Sequence, residues 1–151
     1  MKRTAFLVDG YNLYHSLREA ERRDPGVGLR WLDLSAFARS FLEHLGRDAV
    51  LGEVAYFSAL ARHREFERPG TTVRHRTYMA ALAASGVVIT LGHFKQKRFR
   101  CACCGATTRV FEEKETDVSI AARLFELYLR NACDAAVLVT GGATIPKPLG
   151  W

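Results

Sequence analysis

Apolar positions along this chain change period several times, and each change marks an element. Thr4 to Val8 is a short, almost continuous apolar run, the pattern of a strand buried on both faces of a sheet. From Tyr11 to about Arg22 the apolar residues fall at helical spacing, with Leu13 and Leu17 four apart. DPGVG (24–28) is a loop. Leu34, Phe37, Ala38, Phe41, Leu42 and Leu45 form one helical stripe, with Asp33 or Ser35 as N-cap and Gly46 as C-cap. Residues 50–59 contain a second strand, RPGTT (68–72) is a turn, and 73–85 read as a helix stopped by Gly86. VVITL (87–91) is a third strand, and residues 92–114 read as an irregular, basic insertion. A helix from Thr116 to about Arg130 has Val118, Ala121, Ala122, Phe125 and Leu129 on its apolar side, and AAVLVT (135–140) is a fourth buried strand.

Strands separated by helices predict right-handed crossovers and a mostly parallel sheet in a three-layer α/β/α, Rossmann-like arrangement. The length of 151 residues, without repeat or linker, suits one domain. A chain of that size buries about 70% of its unfolded surface and needs no disulfides to fold. Lys and Arg (22) exceed Asp and Glu (16), giving +6, a weak pointer toward a polyanionic partner. MKRTAFLVDGYN lacks the pattern of a secretory signal, and no apolar segment approaches the roughly 20 residues that span a bilayer. A cytoplasmic protein is expected, with no membrane partner and with its cysteines reduced or metal-bound.

Asp9 stands where the first buried strand ends, and ligands of parallel sheets bind outside such ends. Asn12, three residues on, can hydrogen-bond to Asp9 or to a ligand. The simpler account is that Asp-Gly is a turn and Asp9 caps the helix. Asp117 lies at the start of a helix, where the dipole favours a carboxylate, and spacing alone does not decide whether that start reaches the crevice.

VDGYNLY, EEKETDVSIA and AAVLVTG, in this order and spacing, resemble the NYN domain family of PIN-like ribonucleases over nearly the whole chain, up to about Gly141. The resemblance implies a PIN-like α/β/α fold and metal-dependent RNA cleavage. It maps Asp9 and Asp117 onto acids that bind Mg²⁺ or Mn²⁺ and Asn12 onto a polar site residue. Two close carboxylates repel unless a cation lies between them, and such a cation can activate water against a phosphate. A phosphatase with Asp9 as nucleophile is disfavoured, because the haloacid-dehalogenase pattern wants a second Asp where Tyr11 stands.

The sequence departs from the family pattern after the last strand. Similar members carry Gly-Asp-Ser/Thr-Asp there, whereas this chain has Gly142 and Thr144 in place of the two aspartates. The expectation is an incomplete C-terminal end and weakened catalysis, with an inactive RNA-binding module as the alternative. In the insertion, Lys95, Lys97, Arg98 and Arg100 interleave with Phe94 and Phe99, a pattern that can neutralise phosphates and stack on unpaired bases. A solvated hairpin with both Phe rings turned inward is the bland alternative. Cys101 and Cys104 form a C-x₂-C pair followed by Gly105, half of a Zn²⁺ knuckle. His93, Cys103, Cys133 or a second copy of the chain could supply the missing ligands, which leaves a homodimer open. The remaining histidines, His63 and His75 among them, read as solvent-facing.

Overall fold

A computed structural model describes residues 1–26 and 28–141, with side chains for all of these except 110 and 112–114. The strands are β1 (Lys2–Asp9), β2 (Ala49–Ala59), β3 (Val88–Arg100), β4 (Thr107–Lys114) and β5 (Ala135–Val139). The helices are α1 (Gly10–Arg23), α2 (Leu34–Leu45), α3 (Thr71–Ala84) and α4 (Thr116–Leu129). One sheet of order β4-β3-β2-β1-β5 results, parallel throughout except for the antiparallel β3–β4 pair.

The expected layers are present. On one face Phe6, Val8, Val54 and Tyr56 pack against Leu13 of α1, Leu34 and Ala38 of α2, and Met79 and Leu82 of α3. On the other face Ala5, Leu7, Ala55 and Phe57 pack against Ile120, Leu124 and Leu127 of α4. The period-2 alternation of each strand sends successive residues to opposite cores, which is why β1 reads as an unbroken apolar run. Asp33 caps α2, its Oδ1 accepting the Ser35 and Ala36 N–H groups at 2.8 and 3.0 Å. Arg123 of α4 ties that helix to β2 through a bidentate pair with Glu53.

One expectation is corrected. The segment 92–114 is no irregular insertion but a regular hairpin, because β3 continues past the sheet. Val88–Gly92 pairs with β2, and from His93 to Arg100 the strand pairs only with β4. Eight residues at 3.3–3.4 Å each carry the hairpin tip roughly 25 Å beyond the last β2–β3 pair. Charge on both faces of the hairpin conceals the strand period in the sequence.

Candidate active site and nucleic-acid interface

The carboxyl ends of β1, β2 and β5 and the point at Gly92 where β3 leaves β2 lie along one edge of the sheet. Asp9 is in register with Phe57, and Phe57 with Thr90; Val8 is in register with Val139, so Thr140 follows β5 beside Asp9. Asp9 is only 5% exposed. Its Oδ1 accepts the Asn12 backbone N–H at 3.0 Å, and its Oδ2 accepts the Asn12 side-chain amide at 2.6 Å. The same amide nitrogen reaches Thr140 Oγ1 at 3.3 Å. Asn12 thus joins the ends of β1 and β5. Asp9 is the N-cap of α1, as the simpler reading held. An ionised carboxylate has about four acceptor positions, so two hydrogen bonds do not exhaust it.

Gly10 explains the second half of the Asp-Gly pair. It is buried, and a methyl there would stand 2.4 Å from the Tyr56 ring. Gly141 is similarly tight, since a Cβ would meet Asn12 Cβ at 3.0 Å. Ser58, at the end of β2, is buried and lies 3.4 Å from His75 Nε2. His75 is half-buried rather than solvent-facing, and burial lowers its pKa.

The start of α4 lies at this edge too, which spacing alone could not decide. Lys114 pairs with His93, one residue past the Ala59–Gly92 pair. Glu115 then turns the chain with a left-handed φ of 76°, a conformation uncommon for residues other than glycine. Its carboxylate lies 3.3 Å from His93 Nδ1. Glu115, not Thr116, occupies the N-cap position, and Asp117 is exposed in the first turn. Asp9 and β3 are two strands apart, roughly 10 Å at ordinary strand spacing. No hydrogen bond links Asp117 to Asp9. Among the described residues no three His, Cys, Asp or Glu side chains converge as a metal-binding group. Positions 142 and 144, where the family pattern wants its further acids, lie outside the described residues.

The hairpin sorts its cations by face. Residues directly opposite across an antiparallel pair share a face. Lys95, Lys97 and Phe99 project on one face; Phe94, Gln96, Arg98 and Arg100 project on the other, with Phe111 and Arg109 opposite Gln96 and Arg98. All four predicted cations are exposed, and so is Phe99, at 62%. The bland expectation therefore fails for Phe99. Phe94 is half-buried against His63, which stacks on Phe111 at 4.2 Å with 5° between the ring planes. His63 is not solvent-facing; burial and the nearby Arg64 lower its pKa. Arg98 and Arg109 face each other directly, an arrangement that is destabilising without an anion.

A family model described as NYN domain matches residues 3–144. The chain belongs to the NYN domain family. This family is part of the PIN-like nuclease superfamily, and its members bind RNA. Neither a curated protein nor a solved structure matches the chain. No helix among the described residues is long and apolar enough to cross a membrane.

For an NYN domain, the donors at the carboxyl edge suit a hard cation in kind, being carboxylate, amide and hydroxyl oxygens. Among the described residues they are short in number, with Asp9 buried at the end of β1 and Glu115 and Asp117 exposed at the start of α4. Thr140, Ser58 and Arg109 are not among the site residues the sequence predicts, and His75 reads there as solvent-facing. Thr140 carried the clearest available signal, a hydroxyl where an apolar strand gives way to glycine. Arg109 becomes informative only with the hairpin register.

At the hairpin tip, the neighbouring backbone N–H groups of Cys104 and Cys103 lower the pKa of Cys101. The turn closes through Gly105 N–H to the Cys101 carbonyl at 2.9 Å and Cys101 N–H to the Ala106 carbonyl at 2.8 Å. Gly105 has φ of 69°, the left-handed region where glycine carries no Cβ penalty. Neither remote candidate ligand joins this turn. Cys133 packs in the core beneath α4, and His93 pairs with Glu115 at the hairpin base.

Proposed function

We propose that this NYN domain binds RNA along the β3–β4 hairpin and hydrolyses it, weakly, at the carboxyl edge of the sheet. The observation that carries the reading is the directly opposed Arg98–Arg109 pair, with Arg100 beyond it and the Phe94–Phe111–His63 aromatic cluster at its base. Like charges in register cost stability, and a phosphate between them turns that cost into binding. Lys95 and Lys97 give the opposite face a second set of phosphate contacts, with Phe99 available to stack on a base.

Asp9 and Asp117 are the residues that would hold Mg²⁺ or Mn²⁺, with waters and an RNA phosphate filling the remaining positions. A cation held by these two acids would supply water activation and charge stabilisation at the phosphate. Asn12 fixes the Asp9 carboxylate through both of its oxygens and ties it to Thr140. Arg64, near enough to lower the pKa of His15, adds positive potential beside α1.

Binding without cleavage is the second reading. It is favoured by the lack of three convergent acids among the described residues. Labelled single-stranded RNA separates the two. Retarded RNA in EDTA together with shorter products in Mg²⁺ or Mn²⁺ supports the enzyme. Retarded RNA without products under any metal supports the binding module, and no retardation overturns both.

A further inference from the structure

We propose that Cys101 and Cys104 form one half of a tetrathiolate Zn²⁺ centre whose other half is the same pair from a second copy of this chain. Zinc then joins two NYN domains tip to tip.

The turn holds the pair on one short loop. The Gly105 N–H closes on the Cys101 carbonyl at 2.9 Å and the Cys101 N–H on the Ala106 carbonyl at 2.8 Å, and the left-handed Gly105 lets the chain double back there. Structural zinc sites are tetrahedral and closed, with four protein ligands, and thiolate is the ligand that selects zinc over hard cations. The turn offers two ligands at C-x₂-C spacing, and Cys103 between them is exposed.

Among the described residues no third ligand joins the pair. Cys133 is partly buried against the core, His93 is at the far end of the hairpin, and His63 stacks on Phe111 with Phe94 edge-on to it. A second copy presents the identical pair, and a two-fold axis through the metal makes the two halves equivalent. The hairpin holds the tip roughly 25 Å from the sheet, at strand rise, so two tips can meet without the domains colliding.

Charge favours the same arrangement. The tip is basic, with Arg100 within 4 Å of the position a Gly105 Cβ would occupy. Two such tips repel when empty. Four thiolates around one Zn²⁺ make a dianionic centre, which the arginines of both tips then neutralise. The centre also fixes two copies of the Arg98–Arg109 face relative to each other, so one RNA strand can engage both.

The test is metal content and mass of the purified full chain, kept under a phosphine reductant so that no disulfide forms. The expected result is one zinc per two chains in a dimer. A strong zinc chelator should convert it to a monomer with unchanged far-ultraviolet circular dichroism. Cys101→Ser and Cys104→Ser should each lose both zinc and dimer, while Cys103→Ser keeps both. Cobalt in place of zinc should give the strong visible absorption of tetrahedral thiolate coordination. A zinc-free protein, one zinc per monomer, or a dimer that survives chelation would each overturn the proposal. The chelator arm uses wild-type protein, so the test stands even if a cysteine variant fails to fold.

Discussion

Asn12 closes on Asp9 with both of its nitrogens, the backbone N–H to Oδ1 at 3.0 Å and the side-chain amide to Oδ2 at 2.6 Å. The carboxylate is therefore a helix cap held at the carboxyl edge of the sheet. Asp9→Ala removes the cap and leaves the amide of Asn12 with only Thr140 among these partners. Loss of a cap costs about 1 kcal/mol, within a range of 0.5–2. Asp9→Asn keeps an acceptor for the helix N–H and should cost less. Urea midpoints of the two variants against the parent chain check that order.

Gly10→Ala should destabilise by about 1–3 kcal/mol, the usual cost of forcing extra volume into a packed core. A methyl at 2.4 Å from the Tyr56 ring cannot be accommodated without moving that ring. Tyr56 is 4% exposed and packs edge-on to Tyr78, so it has little room. Chemical denaturation gives the number. A neutral Gly10→Ala would mean that Tyr56 moves freely and that the turn owes nothing to packing.

The Arg98–Arg109 pair predicts opposite effects on stability and binding. Arg98→Ala relieves a like-charge contact and should raise stability by a few tenths of a kcal/mol. The same change should weaken RNA binding and reduce the slope of log affinity against log salt by about 0.7 per lost single-strand phosphate contact. Thermal melts and salt-dependent filter binding read the two effects separately. Weaker binding with an unchanged salt slope would remove phosphate from the explanation.

Acid should expose the link between the first and last strands. The Arg3 guanidinium, hydrogen-bonded to Asp134, holds that carboxyl at about 2 against an ordinary 3.8. A carboxyl depressed in the folded state contributes stability that is fully present above the unfolded pKa. It is lost as pH falls through the folded one. The loss from this residue therefore falls between 3.8 and about 2. Asp134→Asn should flatten the urea midpoint against pH in that window and leave its slope near neutrality unchanged.

Much of the fold was legible because buried strands and most amphipathic helices write their periods into the chain; α4 is the exception, since Val118, Phe125 and Leu129, read as its apolar side, are exposed and Ile120, Leu124 and Leu127 face the sheet instead. Thr4–Val8 reads as a doubly buried strand and lies inside the sheet, between β2 and the edge strand β5. The β3–β4 hairpin was harder, since its exposed faces carry charge on both sides and no apolar alternation announces a strand. Asp9 and Asn12 were legible as a pair because three residues separate them across a helix start. Their tie to Thr140 spans 128 residues and belongs to the sheet register, which no local pattern encodes. The edge position of Asp117 likewise required the β3–β4 register. His75 read as solvent-facing from its charged neighbours in sequence, whereas its own helix turns it toward Ser58.

The most direct test is cleavage of labelled single-stranded RNA in Mg²⁺ or Mn²⁺ by the parent chain and by Asp9→Asn, with EDTA as control. The account predicts slow, metal-dependent product formation by the parent, abolished in EDTA and in Asp9→Asn while RNA is still bound. Equal cleavage by Asp9→Asn would contradict it, because the carboxyl edge of the sheet would then not be where the RNA is cut.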